Sequence, residues 1–82
     1  MINQFTLVGK VKNISSSHIA LEVKSPDTDD TYYIDVNTPL IPIDYIKIGY
    51  TIAVRGHIVV GTMNNNILMV ERITIIGQGK DK

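Results

Sequence analysis

The chain has 82 residues, enough for one small domain with a single hydrophobic core. Apolar residues make up 44% of it and charged residues 20%, a balance typical of folded proteins rather than disordered ones. Eight Lys and Arg residues offset eight Asp and Glu residues, so any affinity for a polyanion has to come from a local patch. Because the chain has no cysteine, disulfides, thiol catalysis and Cys-ligated metal centres are excluded, and we expect no cofactor and no bound metal.

Targeting and membrane-spanning patterns are missing from the sequence. The first residues lack a basic segment followed by an apolar run, and no stretch of about twenty apolar residues occurs. The absence of cysteine fits a reducing compartment. We therefore expect a cytoplasmic domain that does not bind membranes.

Three short runs in the first half of the chain predict three strands in a meander. β-Branched residues alternate with polar ones, and Gly, Pro, Asn, Asp and Ser separate the runs. The inward phase of the three runs contains Phe5, Leu7, Val11, Ile19, Leu21, Val23, Tyr32, Ile34 and Val36. This phase predicts that Tyr32 belongs to the core, while Gly9 predicts a bend or bulge in the first strand.

The segment 38–49 breaks the two-residue alternation, and its two prolines exclude it from the centre of a sheet. Pro42 suits the first turn of a helix, Ile43 and Ile46 would share one face of it, and Gly49 would end it. The sequence therefore predicts a short helical segment between the third and fourth strands.

Two further runs predict a fourth and a fifth strand, joined by a polar loop at 61–66. In the last run the inward phase changes after Val70, and a bulge at Glu71 and Arg72 would restore it. The polar residues 78–82 are expected to form a flexible tail.

This order of elements, all-β with a helical segment between strands three and four, is typical of an OB-fold, a five-stranded Greek-key barrel. Closure of such a barrel hides sheet edges that would otherwise be exposed. SH3-like barrels share much of the pattern, and the position of the helix distinguishes the two. We expect an OB-fold domain over residues 1–77.

Four segments resemble bacterial single-stranded-DNA-binding proteins in order and spacing. Residues 3–12 resemble the opening strand of that family, 44–49 the approach to its fourth strand, 52–58 the fourth strand and 70–77 the last one. The resemblance implies an OB-fold that binds single-stranded DNA in replication, repair or recombination, as a homodimer or homotetramer. The chain departs from the family because it has no Trp, a short loop between strands four and five, and no acidic tail, which indicates a minimal relative.

Binding of a single strand regardless of its sequence requires cations along the phosphate path and aromatic faces on which bases stack. Tyr33 is the best stacking candidate, because it is predicted on the outer face of the third strand and resembles the family's outward aromatic there. The alternative is a tyrosine that covers apolar surface or contacts another subunit. The full set of candidate nucleic-acid-binding residues is Tyr33, Lys10, Lys12, Lys24, Arg55, His57 and Met63.

The candidate lysines and Arg55 fall in the outward phases of strands one, two and four, so a curved sheet could bring them onto one cationic stripe near Tyr33. Each phosphate that such a stripe neutralises steepens the salt dependence of binding. Glu22 and Asp35 share these outward faces and would dilute the stripe. An outward lysine that is simply solvated is the commoner situation.

Three other side chains have competing interpretations. His57, outward on strand four, could touch a base or phosphate, although a surface or interface contact is commoner for such a histidine. Met63, in the short loop, could offer an apolar contact to a base. Arg72 is expected to pair with a surface acid.

Catalysis finds little support, and we expect neither an enzyme nor a small-molecule substrate. No nucleophile is accompanied by a base and an orienting group. Asp27, Asp29 and Asp30 cluster in one predicted loop, which lacks the spacing and terminal Glu of an EF-hand.

Two functions stay open at the level of sequence. The first is a module that binds single-stranded DNA, favoured by the four strand segments and the outward lysines. The second is a protein-interaction adaptor that kept the fold and lost the nucleic-acid face, favoured by the charge balance, the missing Trp and the short loop. For either one, Thr6 and Val8 on strand one could let two first strands meet across a two-fold axis.

Overall fold

The computed structural model describes residues 3–61 and 66–79, and these form five strands. The strands are β1 (Gln4–Ile14), β2 (His18–Lys24), β3 (Thr31–Asn37), β4 (Thr51–Val60) and β5 (Asn66–Gly77). They close into a barrel in the order β1-β2-β3-β5-β4, so the all-β class and the five predicted strands are confirmed. Within the described ranges, no helix is long and apolar enough to cross a membrane. Residues 80–82 of the predicted tail lie outside the described residues.

Four of the five strand contacts are antiparallel ladders, and the fifth is a narrow seam. β4 pairs with β5 over almost its whole length, and β2 pairs with β3 without interruption. The seam joins β3 to β5 in parallel through one residue pair, Asn37 with Met69. The barrel is therefore held least firmly on the side where β3 and β5 meet.

Residues 38–50, all within the described part of the chain, contain no helix, so the predicted helical segment is wrong. Instead, the Ile46 N–H donates to the Ile43 carbonyl at 3.0 Å and the Tyr50 N–H donates to the Lys47 carbonyl at 3.1 Å, which makes two separate turns. A helix has to fix several residues before its first hydrogen bond forms, and the two prolines in this segment have no N–H to donate. Ile43 and Ile46 are nevertheless buried.

The barrel interior is filled by aliphatic side chains. The buried core residues are Val11, Ile19, Leu21, Val36, Ile43, Ile46, Ile52, Val54 and Val70. Phe5 and Leu7 are partly buried and pack against this core, as their inward phase predicts. Full burial of one such side chain contributes about 1.5 to 3 kcal/mol, so this core supplies the main stabilisation of the fold.

Tyr32 is 53% exposed, so the prediction that it belongs to the core is wrong. Its phase is the inward one, and it pairs with Val23 across the β2–β3 ladder. This pair is the last but one before the loop at 25–30, where the ladder ends at Lys24 and Thr31. At the end of a barrel, a side chain that points inward has no opposite strand to pack against. The ring of Tyr32 therefore stays exposed to solvent.

The bulge predicted in β5 is confirmed. Arg55 of β4 pairs with Arg72, and Gly56 pairs with Val70, which leaves Glu71 as the extra residue. Because one residue is added, the strand after the bulge returns its apolar side chains to the barrel interior.

In β1 the irregularity lies between Val11 and Asn13, at Lys12, and not at Gly9 as predicted. Instead, Gly9 allows the backbones of β1 and β2 to lie close together. A Cβ at that position would lie 2.8 Å from the backbone oxygen of Glu22, which is too close for an unstrained contact. The glycine therefore lets β1 and β2 approach each other.

Candidate nucleic-acid interface

One row of outward side chains crosses three strands of the barrel. Lys10 of β1 pairs with Glu22 of β2, and Glu22 pairs with Tyr33 of β3. On its other side, Lys10 pairs with Thr51 of β4. Directly paired residues project from the same face of a sheet, and neighbouring strands are about 4.8 Å apart, so Lys10 and Tyr33 share a face at about 10 Å.

Tyr33 is 69% exposed, so its predicted outward position is confirmed. It lies within the uninterrupted β2–β3 ladder, which fixes its backbone on both sides of the residue. An exposed ring on a fixed backbone loses little conformational freedom when a base stacks on it. The position suits a stacking platform.

A groove borders this row at the point where the β1–β2 ladder ends. Residues 4–9 pair with β4, and the β1–β2 ladder begins only at Lys10. The groove, which we call the lysine groove, is lined by Val8, Gly9, Lys10, Glu22, Lys24 and Thr51. It brings two of the predicted lysines, Lys10 and Lys24, to one place beside Tyr33.

Lys12 and Glu22 form an ion pair at the edge of the lysine groove. The Nζ of Lys12 lies 3.5 Å from the Oε1 of Glu22, and the two side chains are 47% and 21% exposed. A surface ion pair of this kind contributes about 0 to 1 kcal/mol, so a phosphate can compete for the lysine. The carboxylate still lowers the positive potential in the middle of the row, as expected from the sequence.

Arg55 lies apart from the lysines, so the structure does not bring all predicted cations onto one stripe near Tyr33. Its cross-strand neighbours are Thr6 of β1 and Arg72 of β5. Arg55 is four residues along β4 from Thr51, which borders the lysine groove. At about 3.3 Å per residue the separation is about 13 Å.

His57 is engaged by an acid. Its Nδ1 lies 2.5 Å from the Oε2 of Glu71, the extra residue of the β5 bulge. Among residues 3–61 and 66–79, no third metal-binding side chain completes a cluster with this pair or elsewhere. A role of His57 in binding stays a prediction, and Met63 lies outside the described residues.

Two features of this surface escaped the sequence interpretation. The sequence predicts a surface acid as the partner of Arg72, but within the described ranges this arginine forms no ion pair, because the adjacent Glu71 is turned to His57. Tyr32 is a second exposed ring, beside Tyr33 in the chain and on the opposite phase. The acidic loop that precedes β3 indicates that Tyr32 lies near the end of the barrel, and this position could have predicted its exposure.

Comparison with known proteins finds similar folds and no similar sequence. No protein-family model matches the chain, and no curated protein matches it. The fold is similar to the mitochondrial single-stranded DNA-binding protein Rim1 of S. cerevisiae, with a TM-score of 0.74 and 14% identity, over 99% of this chain and 100% of that one. It is also similar to the dimeric N-terminal domain of PriB from Thermoanaerobacter tencongensis, with a TM-score of 0.61 and 21% identity, over 90% of this chain and 96% of that one. These likenesses support the predicted OB-fold.

Proposed function

We propose that this chain binds single-stranded DNA through the lysine groove and Tyr33. The observation that carries the proposal is the row in which Lys10 and Tyr33 flank Glu22, with Lys24 on the same side of the groove. A base stacked on the ring can leave its phosphates beside the two ammonium groups. The similar folds of Rim1 and of the PriB domain support the proposal.

The proposed contacts are backbone and stacking contacts, so binding is independent of base sequence. Phosphates carry the same charge at every nucleotide, and every base has a face that can stack. Such a module acts by holding a strand and needs no catalytic group. It suits DNA replication, repair or recombination in the cytoplasm, where single strands are exposed.

A single copy offers few cations in the groove and one ring beside it, so we propose that the chain works as a homodimer or homotetramer. β1 pairs with β4 over residues 4–10, and in the described structure its opposite edge is unpaired before Lys10. Val8, which faces outward next to this edge, is 51% exposed. A second copy whose β1 meets this edge at residues 4–7, next to the groove and not in it, would place two grooves on one assembly, and linked sites raise the apparent affinity.

The proposal is tested by titrating fluorescently labelled oligo-dT at low and at moderate salt. Tyr33→Ala is expected to weaken binding by about 5- to 150-fold, because one stacked base contributes about 1 to 3 kcal/mol. Tyr45→Ala is the matched control, since Tyr45 is 47% exposed on the segment between β3 and β4. If both variants bind like the unaltered protein, Tyr33 is not a stacking platform and the proposal fails.

The second candidate is an adaptor that retains the fold and has lost nucleic-acid binding. The observation that favours it is the carboxylate of Glu22, which lies in the middle of the row and holds Lys12. The same titration separates the two functions. Absence of binding at low salt and high protein concentration, with the oligomer intact, selects the adaptor.

A further inference from the structure

The β5 bulge places two like charges opposite each other. Arg55 pairs with Arg72, while Gly56 pairs with Val70. If the register of Gly56 with Val70 continued without a bulge, the partner of Arg55 would be Glu71, an attractive pair of opposite charges. The bulge replaces this attraction by a repulsion between two guanidinium groups, an arrangement that destabilises a sheet.

Neither arginine is neutralised by a carboxylate in the part of the chain that the structure describes. The ion pairs there are Lys12 with Glu22 and His57 with Glu71. Glu71 directly precedes Arg72 in the chain, but its Oε2 is 2.5 Å from the Nδ1 of His57. The carboxylate that could relieve the repulsion is therefore held by another partner.

A pocket lies between the two arginines. Its lining is formed by Gln4, Phe5, Thr6, Arg55, Gly56, Glu71 and Arg72. Thr6 is the cross-strand partner of Arg55 and projects from the same face, and Gln4 lies two residues away on that face. The pocket therefore combines two guanidinium groups with a hydroxyl and an amide, all of which can donate hydrogen bonds, against one carboxylate that is turned to His57.

We infer that this pocket is a binding site for a phosphate group. A guanidinium presents a planar fork of N–H donors that matches two oxygens of an oxyanion, and two forks match the four oxygens of a phosphate. A phosphate with close to two negative charges also neutralises both arginines at once, which a carboxylate cannot do. The bound anion converts the unfavourable arginine pair into a favourable bridge between β4 and β5.

The site is separate from the lysine groove. About 13 Å along β4 lie between Arg55 and Thr51 at the groove, and neither Tyr33 nor a lysine lines the pocket. The phosphate can come from a free phosphate compound or from the backbone of a nucleic acid that extends beyond the groove. Both sources present phosphoryl oxygens to the guanidinium groups, a free phosphate compound with close to two negative charges and a diester with one, so the site does not depend on the function proposed above.

The direct test is a titration of the full chain with inorganic pyrophosphate, followed by backbone amide NMR at constant ionic strength. We expect saturable shifts concentrated at Thr6, Arg55, Gly56 and Arg72, and their loss in Arg72→Gln. Lys47→Gln is the matched control, since Lys47 is exposed on the segment between β3 and β4, and it is expected to retain the shifts. Shifts that spread over all Lys and Arg residues, or that do not saturate, overturn the inference.

A second measurement guards against a variant that is merely misfolded. Pyrophosphate is expected to raise the Tm of the unaltered protein and of Lys47→Gln, and to leave the Tm of Arg72→Gln unchanged, because a ligand stabilises only a fold that binds it. Without pyrophosphate, Arg72→Gln is expected to melt at the same temperature or higher, because the repulsion is gone. An equal pyrophosphate effect on all three proteins contradicts the site.

Oligo-dT distinguishes the two sources of phosphate. If oligo-dT shifts the same four amides, the pocket takes a phosphodiester of the strand, and if only pyrophosphate does, it takes a free phosphate compound. Failure of oligo-dT to bind anywhere removes the function proposed above and leaves the pyrophosphate site standing. If oligo-dT binds at the groove and pyrophosphate causes no response, the function proposed above stands and the phosphate site is overturned.

Discussion

Lys10 and Tyr33 lie on the same face of the barrel, on either side of Glu22, which pairs with both. The arrangement sets an acid between the cation and the ring that we propose as contacts for one strand of DNA. Glu22 is also the partner of Lys12, at 3.5 Å. We therefore expect the row to bind single-stranded DNA more weakly than its lysines alone would. Replacing Glu22 is the change that should raise this affinity.

Glu22→Gln is expected to tighten oligo-dT binding about two- to fivefold. The change removes a negative charge beside the phosphate path and releases Lys12, and one exposed charge interaction contributes at most about 1 kcal/mol. Fluorescence anisotropy at low salt measures the effect, with Asp44→Asn, an exposed acid on the segment between β3 and β4, as the control. Unchanged or weaker binding by Glu22→Gln would show that the strand does not cross this row.

Lys10→Ala is expected to make binding less sensitive to salt. Each phosphate neutralised on a single strand contributes about 0.7 to the slope of log K against log salt concentration, so the slope falls by about that amount. Titrations at four or more salt concentrations give the slope. Lys47→Ala, which changes an exposed lysine away from the groove, is expected to keep the original slope. Equal slopes for both variants would remove Lys10 from the phosphate path.

Gly56→Ala is expected to destabilise the fold by about 3 kcal/mol, at the upper end of the usual cost of overpacking. A Cβ at Gly56 would collide with the backbone carbonyl of Met69, and backbone cannot move aside as a side chain can. Gly77→Ala is the matched control, because a Cβ at Gly77 meets no atom within 4 Å, and its effect is expected within about 0.5 kcal/mol. Urea unfolding measures both variants, and similar midpoints for the two would contradict the tight β4–β5 contact.

Val8→Glu is expected to convert the proposed oligomer into a monomer. Val8 projects beside the unpaired stretch of β1, and a charge there is costly to bury in a subunit contact. Val60→Glu is the control, since Val60 is 69% exposed at the far end of β4. Size-exclusion chromatography with light scattering gives the mass of each variant. A monomeric unaltered protein, or an oligomer that survives Val8→Glu, rules out assembly through β1.

Alternation of apolar and polar residues was sufficient to predict the five strands and the outward position of Tyr33. The phase change after Val70 also predicted the bulge at Glu71, because a bulge is visible in the sequence whenever the apolar phase shifts by one residue. These successes concern side-chain direction, which a strand determines locally.

The errors concern contacts that alternation does not encode. Tyr32 has the inward phase, but its distance from the end of the barrel decides its exposure, and that depends on how the strands pair. The segment 38–50 has residues that are compatible with a helix. Two separate turns already bury Ile43 and Ile46, so the chain does not need to nucleate a helix there. The partner of Arg72 depends on the register of β4 against β5, and this register cannot be predicted from the alternation within either strand.

The seam between β3 and β5, held by the pair Asn37 and Met69, has a dynamic consequence. Among the described residues, only this pair covers the outer edge of β3, so hydrogen exchange is expected to begin there while the β4–β5 ladder stays protected. Tyr33 belongs to that strand. The ring that we propose for base stacking is therefore anchored through the β2 ladder alone, and opening of the seam would leave its backbone in place while it frees the other edge of the strand.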